Sequence, residues 1–160
     1  MTRELINIGI AELIVIHNPA VLMTVGLGSC VAISLRDPIA RIGALAHIVL
    51  PSINTARNKE NPLKFADSAI EIAVQEMLKM GCHQRRMEAK IAGGACMFQF
   101  GDGKIKIGAQ NVDAVKKKLT EMKIPLLASD TGGEHGRTVI FNIENGTMTI
   151  KSAFLGQKEI

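Results

Sequence analysis

The apolar residues in the first part of the chain recur with the period of two that is typical of strands. Ile6, Ile8 and Ile10 alternate with Asn7 and Gly9, as in a half-buried strand. Further strands are predicted at 13–16, 21–25, 31–36 and 41–50. The last two flank the segment 37–40, which has the length of a hairpin loop. The chain up to residue 50 is therefore predicted to be mainly β.

Two later segments switch to the helical period. From Leu63 to Met80, small and aliphatic residues recur at spacings of three and four, and Gly81 follows them. A second helix is predicted from about Val112 to Met122, with Asn111 as its N-cap. The remaining strands are predicted at 89–92, 104–107, 126–128, 139–143 and 147–150, the last two joined by an Asn-Gly turn.

The order of these elements favours an α+β fold. Five strands precede the first helix, and strands and helices do not alternate strictly afterwards, which argues against a doubly wound sheet. The 160 residues, 47% of them hydrophobic, suffice for one core, so residues 1–160 are predicted to form a single layered domain.

Composition excludes several classes of function. The chain has 19 basic and 15 acidic residues, a dispersed net charge of +4, and neither Trp nor Tyr, which argues against nucleic-acid binding. No apolar run approaches the ~20 residues of a membrane span, and Glu4 stands where a signal peptide would be basic, so we expect a cytoplasmic protein. The three cysteines do not form a disulfide framework and are expected to be thiols.

One cysteine and one histidine are predicted to meet across the first hairpin. If Arg36 pairs with Arg41, then Cys30 lies opposite His47. Side chains opposite each other in an antiparallel pair have Cβ atoms about 4.5–5.5 Å apart. The hairpin face that carries both is poorer in large apolar residues than the other face, and we expect it to form the floor of a cleft.

This pair suits nucleophilic catalysis. A neighbouring imidazole stabilises a thiolate and delivers a proton to a leaving amine. The segment Gly26-Leu27-Gly28-Ser29 precedes the cysteine, and its successive backbone N–H groups can hold an oxyanion. The alternative interpretation is a packed cysteine beside an ordinary hydrogen-bonded histidine.

Other clusters give weaker signals. Cys82, His83 and Cys96 lack a C-x-x-C pair, so a zinc site is not favoured and no metal or organic cofactor is expected. The glycine-rich segments 93–96 and 131–137 are predicted to be tight turns beside strands, and either could line a substrate cleft.

Several motifs in series resemble the CheD family of chemoreceptor glutamine deamidases. The resemblance starts at 24–31, which reads TVGLGSCV, and at 43–51, which reads GALAHIVLP. It continues through FADSAI at 65–70, AKIAGGA at 89–95, IGAQNV at 107–112, Ile124-Pro125, Gly132-Gly133 and Gly136-Arg137. It covers nearly the whole chain, in order and with matching spacing.

The resemblance implies a protein-glutamine glutaminase that converts selected Gln side chains of chemoreceptor cytoplasmic domains to Glu and ammonia. The family's catalytic Cys falls on Cys30, its His on His47 and its Thr on Thr24, with the backbone of Gly28 and Ser29 near the oxyanion. It further implies a β-sandwich-like core decorated by helices, resembling toxin-type cysteine deamidases.

The resemblance also implies a protein partner, the phosphatase CheC, which binds CheD proteins and is stimulated by them. Phe65 and Gln110 depart from the family pattern, in which Tyr and Arg are common at these positions. The Gln110 departure leaves the partner-binding residues open. Two alternatives remain: a regulatory partner of CheC with little catalysis, and a different cysteine enzyme such as a peptidase or a transglutaminase-like protein.

Overall fold

The computed structural model describes residues 4–96 and 106–160 of the chain. In this part, ten strands and two α-helices follow one another, with short 3-10 turns between some of them. The strands are β1 (Glu4–Asn7), β2 (Leu13–His17), β3 (Ala20–Leu27), β4 (Val31–Asp37), β5 (Ile42–Ile48), β6 (Glu88–Gly93), β7 (Leu126–Thr131), β8 (Arg137–Asn142), β9 (Met148–Ser152) and β10 (Gly156–Glu159). The helices are α1 (Ala66–Lys79) and α2 (Ile107–Glu121).

The strands form two five-stranded sheets. The first sheet has the order β1-β3-β8-β9-β10 and the second has the order β2-β5-β4-β6-β7. Each sheet contains one parallel pair, β1 with β3 and β6 with β7, and is otherwise antiparallel. Both sheets are therefore mixed, as expected when strands and helices do not alternate.

The apolar side chains fall into two clusters that define three layers. One cluster joins the outer face of the second sheet to both helices; it includes Val31, Ile33, Leu35, Ile70, Met77 and Val115. The other joins the two sheets; it includes Leu22, Ala32, Leu45, Ala92, Val139 and Phe141. Because side chains alternate along a strand, β4 contributes odd-numbered residues to the helix side and Ala32 to the inter-sheet side. The predicted α+β sandwich decorated by helices is confirmed.

Most predicted elements exist, with four differences. The alternation of Ile6, Ile8 and Ile10 predicts a strand over 6–10, but β1 spans Glu4–Asn7 and Ile10 lies in a turn. The strand predicted at 104–107 is wrong at its end, since α2 begins at Ile107; residues 104 and 105 lie outside the described part. Asn111 is not an N-cap, because it lies inside α2 and its side chain reaches other elements. Strand β10 was not predicted, and its residues are all exposed, so the sequence there carries no apolar pattern.

The predicted hairpin register is wrong by two residues. Asp37 pairs with Ile42, so the turn is 38–41 and Ala32, not Cys30, lies opposite His47. The Asp37 carboxylate sets this turn by accepting hydrogen bonds from the N–H groups of Ile39 and Ala40, and Arg41 closes it with φ of 60°. A shift of two residues keeps each side chain on its predicted face. That face packs against the first sheet, so it is not the floor of an open cleft.

No helix within the described ranges is long and apolar enough to cross a membrane.

Candidate active site

Two of the predicted site residues meet between the sheets. Thr24 comes from β3 of the first sheet and His47 from β5 of the second, and both are fully buried. The Thr24 hydroxyl oxygen lies 2.7 Å from Nδ1 of His47. A single hydrogen bond between two side chains therefore links the two sheets at this point.

The surroundings of Thr24 define which nitrogen of His47 carries the proton. The Thr24 hydroxyl donates its only hydrogen to the backbone carbonyl of Ile8, at 3.0 Å. A carbonyl can only accept, so the hydroxyl presents a lone pair to His47 and accepts from the protonated Nδ1. Nε2 of the neutral ring then carries a lone pair. This nitrogen is buried and has no hydrogen-bond partner among the described residues.

Burial lowers the pKa of His47 below its ordinary value. A fully buried imidazolium would lose its hydration, so desolvation favours the neutral ring. The resting state at neutral pH is therefore an oriented, unprotonated Nε2, which is the state that a general base requires.

The loop before β4 is fixed through three successive carbonyl groups. Gly28 O accepts from Ala95 N at 2.9 Å, and Cys30 O accepts from Gly94 N at 2.8 Å. Between them, Ser29 O accepts from the side-chain amide of Asn111 at 3.0 Å. All three carbonyls are thus used inside the protein.

The N–H groups of the same loop are left available. Within the described ranges, those of Gly28 and Ser29 donate to no protein acceptor. Two unpaired donors at adjacent positions form the kind of concavity that receives an anionic oxygen. The close contact behind the loop needs glycine: Gly93 has φ of 117°, and a Cβ there would lie 2.3 Å from Cys30 O.

Cys30 is half-buried and packs against the inter-sheet cluster, the layer that also contains His47. Burial raises the pKa of its thiol, while the hydrogen bond from its own backbone N–H acts in the opposite direction. The resting thiol is therefore neutral, unlike the thiolate expected from the sequence. No hydrogen bond joins it to His47, whose Nε2 has no partner, so the expected direct Cys–His pair does not form in this state.

Asn111 is a site residue that the sequence reading missed. Its fully buried side chain donates to Ser29 O and, at 2.9 Å, to Val49 O just beyond β5. A signal existed: Asn111 falls within the buried stripe of α2, formed by Gly108, Asn111, Val112, Val115 and Leu119. A polar residue at such a position usually has buried partners.

The glycine-rich segment predicted at 131–137 does line a surface cleft, of about 300 Å³, beside the bulge of β3. Its walls include Gly26, His135, Arg137 and Phe154. The two positions that depart from the family pattern lie apart from these contacts, since Phe65 is buried at the start of α1 and Gln110 is exposed on α2.

Cys82 and His83 serve a different part of the molecule. His83 N–H donates to the buried Asp37 carboxylate, at 2.9 Å. Burial, and then the negative charge of Asp37, raise the pKa of Cys82 to about 11. The described ranges contain no group of three or more metal-ligating side chains.

Comparison with known proteins gives the class of this chain. Residues 49–152 match the family model CheD, described as CheD chemotactic sensory transduction. The "Chemoreceptor glutamine deamidase CheD" of Thermotoga maritima is 48% identical over 151 residues, covering 94% of both chains. The "Probable chemoreceptor glutamine deamidase CheD" of Clostridium botulinum strain Hall is 50% identical over 157 residues, covering 97% of both. The chain belongs to the CheD family. The match to the family model begins after Thr24, Cys30 and His47, which only the full-length relatives cover.

Among solved structures, the hypothetical protein YfiH of Bacillus licheniformis is similar with a TM-score of 0.45 at 15% identity, over 75% of this chain and 50% of that one.

Proposed function

We propose that this chain is a chemoreceptor glutamine deamidase, in which Cys30 is the nucleophile, His47 the general base and acid, and Thr24 the residue that orients His47. The observation that carries the proposal is the hydrogen bond between Thr24 and His47, which leaves an oriented, unpaired Nε2 in the layer that also contains the Cys30 side chain. The names of the relatives supply the substrate class.

The first half-reaction forms a thioester. His47 Nε2 takes the thiol proton as the Cys30 sulfur attacks Cδ of the substrate glutamine, and the carbonyl oxygen becomes an oxyanion. The N–H groups of Gly28 and Ser29, which have no acceptor in the part of the chain that the structure describes, hold that oxyanion. His47 returns the proton to the nitrogen, the C–N bond breaks, and ammonia leaves.

The second half-reaction consumes water. His47 Nε2 removes a proton from a water molecule that attacks the thioester, the C–S bond breaks, and the sulfur regains a proton from His47. The product is a glutamate side chain and a regenerated thiol. The buried, neutral resting pair implies that the catalytic contact shortens when substrate arrives, as is common for catalytic hydrogen bonds.

The family resemblance adds two further elements to this proposal. The proposed substrates are glutamines in the cytoplasmic domains of chemoreceptors, so the proposed site of action is the cytoplasm. A CheC-type phosphatase is its regulatory partner. The oriented imidazole nitrogen of His47, which has no partner within the described ranges, favours a catalytic chain over one that only regulates CheC.

The test is mass spectrometry of a purified receptor cytoplasmic fragment incubated with the protein in heavy-oxygen water. Wild type should convert specific Gln residues to Glu with one heavy oxygen in each new carboxylate, and Cys30→Ala should convert none. Cys82→Ala is the matched control, because that thiol is buried at the other end of β4; it should remain active.

Each other outcome rejects the proposal in a defined way. Cleavage of the fragment indicates a peptidase, and cross-linking without heavy oxygen indicates a transglutaminase-like enzyme. Intact glutamines on several receptor fragments, together with tight binding of a CheC-type protein, indicate the regulatory module. Equal activity of Cys30→Ala and wild type removes Cys30 from the mechanism.

A further inference from the structure

The side chain of Asn111 joins the two segments that carry the proposed nucleophile and base. It is fully buried inside α2, on a helix that the inter-sheet hydrogen bond of His47 does not involve. Its Nδ2 donates one hydrogen to Ser29 O, adjacent to Cys30, and the other to Val49 O, two residues after His47. One amide nitrogen thus donates one hydrogen bond to each of the two segments.

The partners leave only one orientation for this amide. Both are backbone carbonyls, which accept and do not donate, so a flipped amide would direct its oxygen at two other oxygens. In the orientation present, Oδ1 is buried and has no partner among the described residues. An apolar side chain here would remove the donor from both carbonyls, whereas the amide pairs both and leaves its own oxygen unpaired. The two hydrogen bonds that the amide donates explain why an amide side chain occupies this position.

We propose that Asn111 is a positioning residue, which holds the Cys30 loop and the end of β5 at a fixed separation so that the sulfur can reach His47 Nε2 without a permanent contact between them. The proposal rests on the proposed function. Without Asn111, Ser29 O loses its side-chain donor, and within the described ranges the carbonyls of the Gly28–Cys30 loop retain the two hydrogen bonds from Ala95 and Gly94.

The experiment compares Asn111→Leu with Val115→Ala and wild type. Leu is close to Asn in shape and removes both hydrogen bonds, whereas Val115→Ala disturbs the packing one turn further along α2 and leaves them intact. Two quantities are measured: the kinetics of receptor-fragment deamidation, and the rate at which iodoacetamide alkylates each cysteine, resolved by peptide mass spectrometry.

For Asn111→Leu we expect kcat to fall roughly ten- to hundredfold, with KM changed less than kcat, because a small misplacement of reacting groups has such effects. Alkylation of Cys30 should become several-fold faster, because the released loop exposes the sulfur. Cys82, which is buried in the helix-side core, should keep its slow rate and so reports that the fold is intact. Val115→Ala should match wild type in kcat and in Cys30 alkylation.

The proposal is overturned if folded Asn111→Leu keeps wild-type kcat and Cys30 alkylation, or if Val115→Ala reproduces its effects. If Asn111→Leu exposes Cys82, the smaller Asn111→Ala replaces it under the same criteria. If wild type deamidates no receptor fragment, the proposed function fails, but the alkylation arm still decides whether Asn111 holds the Cys30 loop.

Discussion

The two ends of strand β4 differ in how completely their polar groups are paired. At its end, the fully buried Asp37 carboxylate accepts hydrogen bonds from the N–H groups of Ile39, Ala40 and His83 and from Arg86. Near the start of β4, the N–H groups of Gly28 and Ser29 have no acceptor within the described ranges. The lone pair on Nε2 of His47 likewise has no donor there.

The pairing changes the ionisation at each end. Burial alone would raise the pKa of Asp37, but the hydrogen bonds from Arg86 and from the backbone outweigh it and lower the pKa to about 2. At the start of the strand, burial dominates: the pKa of Cys30 is raised and that of His47 is lowered. One end therefore holds a charged carboxylate, and the other holds a thiol and an imidazole whose neutral forms are favoured by burial.

This difference distinguishes residues of β4 and its neighbours that stabilise the fold from residues that are available to a substrate. A group whose hydrogen-bonding capacity is filled stabilises the fold and is not available to a substrate. A buried group left unpaired destabilises the fold and persists at sites where a ligand completes it. We therefore expect substitutions at the two ends to affect different measurements.

The largest effect is expected at the fully paired end. Asp37→Asn should lower the free energy of unfolding by about 3 kcal/mol, because it removes the charge of a fully buried carboxylate that pairs with the partly exposed Arg86 and leaves an amide hydrogen facing a donor. Urea denaturation at pH 7 measures this change. Deamidation per folded molecule should equal that of wild type.

A partly exposed ion pair of the same sheet gives the control. Glu88→Gln removes the negative charge that faces Arg36 while keeping an oxygen that can accept from it, and should lower the free energy of unfolding by less than about 1 kcal/mol. Acid titration adds a second measurement. The contribution of Asp37 to the free energy of unfolding is present above its ordinary pKa of 3.8 and is lost as the pH falls toward 2. Equal acid sensitivity of wild type and Asp37→Asn would contradict this assignment.

An intermediate effect is expected at Thr24. Thr24→Val keeps the shape but removes the acceptor for Nδ1–H, so His47 can adopt the other tautomer; kcat should fall about tenfold or more. Thr24→Ser retains a hydroxyl and should recover most of the rate. Receptor-fragment deamidation measures both, with circular dichroism to confirm folding.

The pair of variants excludes a purely structural explanation. A loss of rate in Thr24→Val that Thr24→Ser fails to restore would mean that the methyl group, and not the hydroxyl, matters at this position. Equal rates in all three proteins would remove the Thr24–His47 hydrogen bond from the mechanism.

The smallest effect is expected in the pH dependence near neutrality. Because the pKa of His47 is lowered from 6.5, kcat/KM should stay nearly constant from pH 8 to 6.5 and decline only below that value. Alkylation of Cys30 should rise with pH and have its midpoint above 9.0, since burial disfavours the thiolate. Fast alkylation that persists at pH 5 would instead reveal a preformed thiolate–imidazolium pair.

The sequence predicted the strands and helices where apolar residues have a clear period, and it predicted the faces of the first hairpin correctly. It missed the hairpin register because the Asp37 side chain, and not loop length alone, sets the turn. It missed β10 because exposed edge residues carry no alternation. Local pattern thus predicted which face each residue occupies, but side-chain hydrogen bonds determined the register.

The candidate site was predictable only in its residue types. Family motifs located Thr24, Cys30 and His47, but the arrangement depends on which sheet each strand joins. Thr24 reaches His47 because β3 and β5 belong to facing sheets, a tertiary relation that a spacing within the chain does not contain. Asn111 was assigned a capping role because its long-range partners could not be read from the helix alone.

The sheet that carries Thr24 contains strands from both ends of the chain. During synthesis, its first strands are therefore made well before its last ones. Thr24, Cys30 and His47 leave the ribosome early, but β8, which pairs with β3 along Val21–Leu27, spans residues 137–142. A growing chain therefore contains all three residues long before β8, the strand that pairs with the Thr24 strand, has been synthesised. The hydrogen bond between Thr24 and His47 therefore depends on a sheet that the chain completes only after β8 has been synthesised.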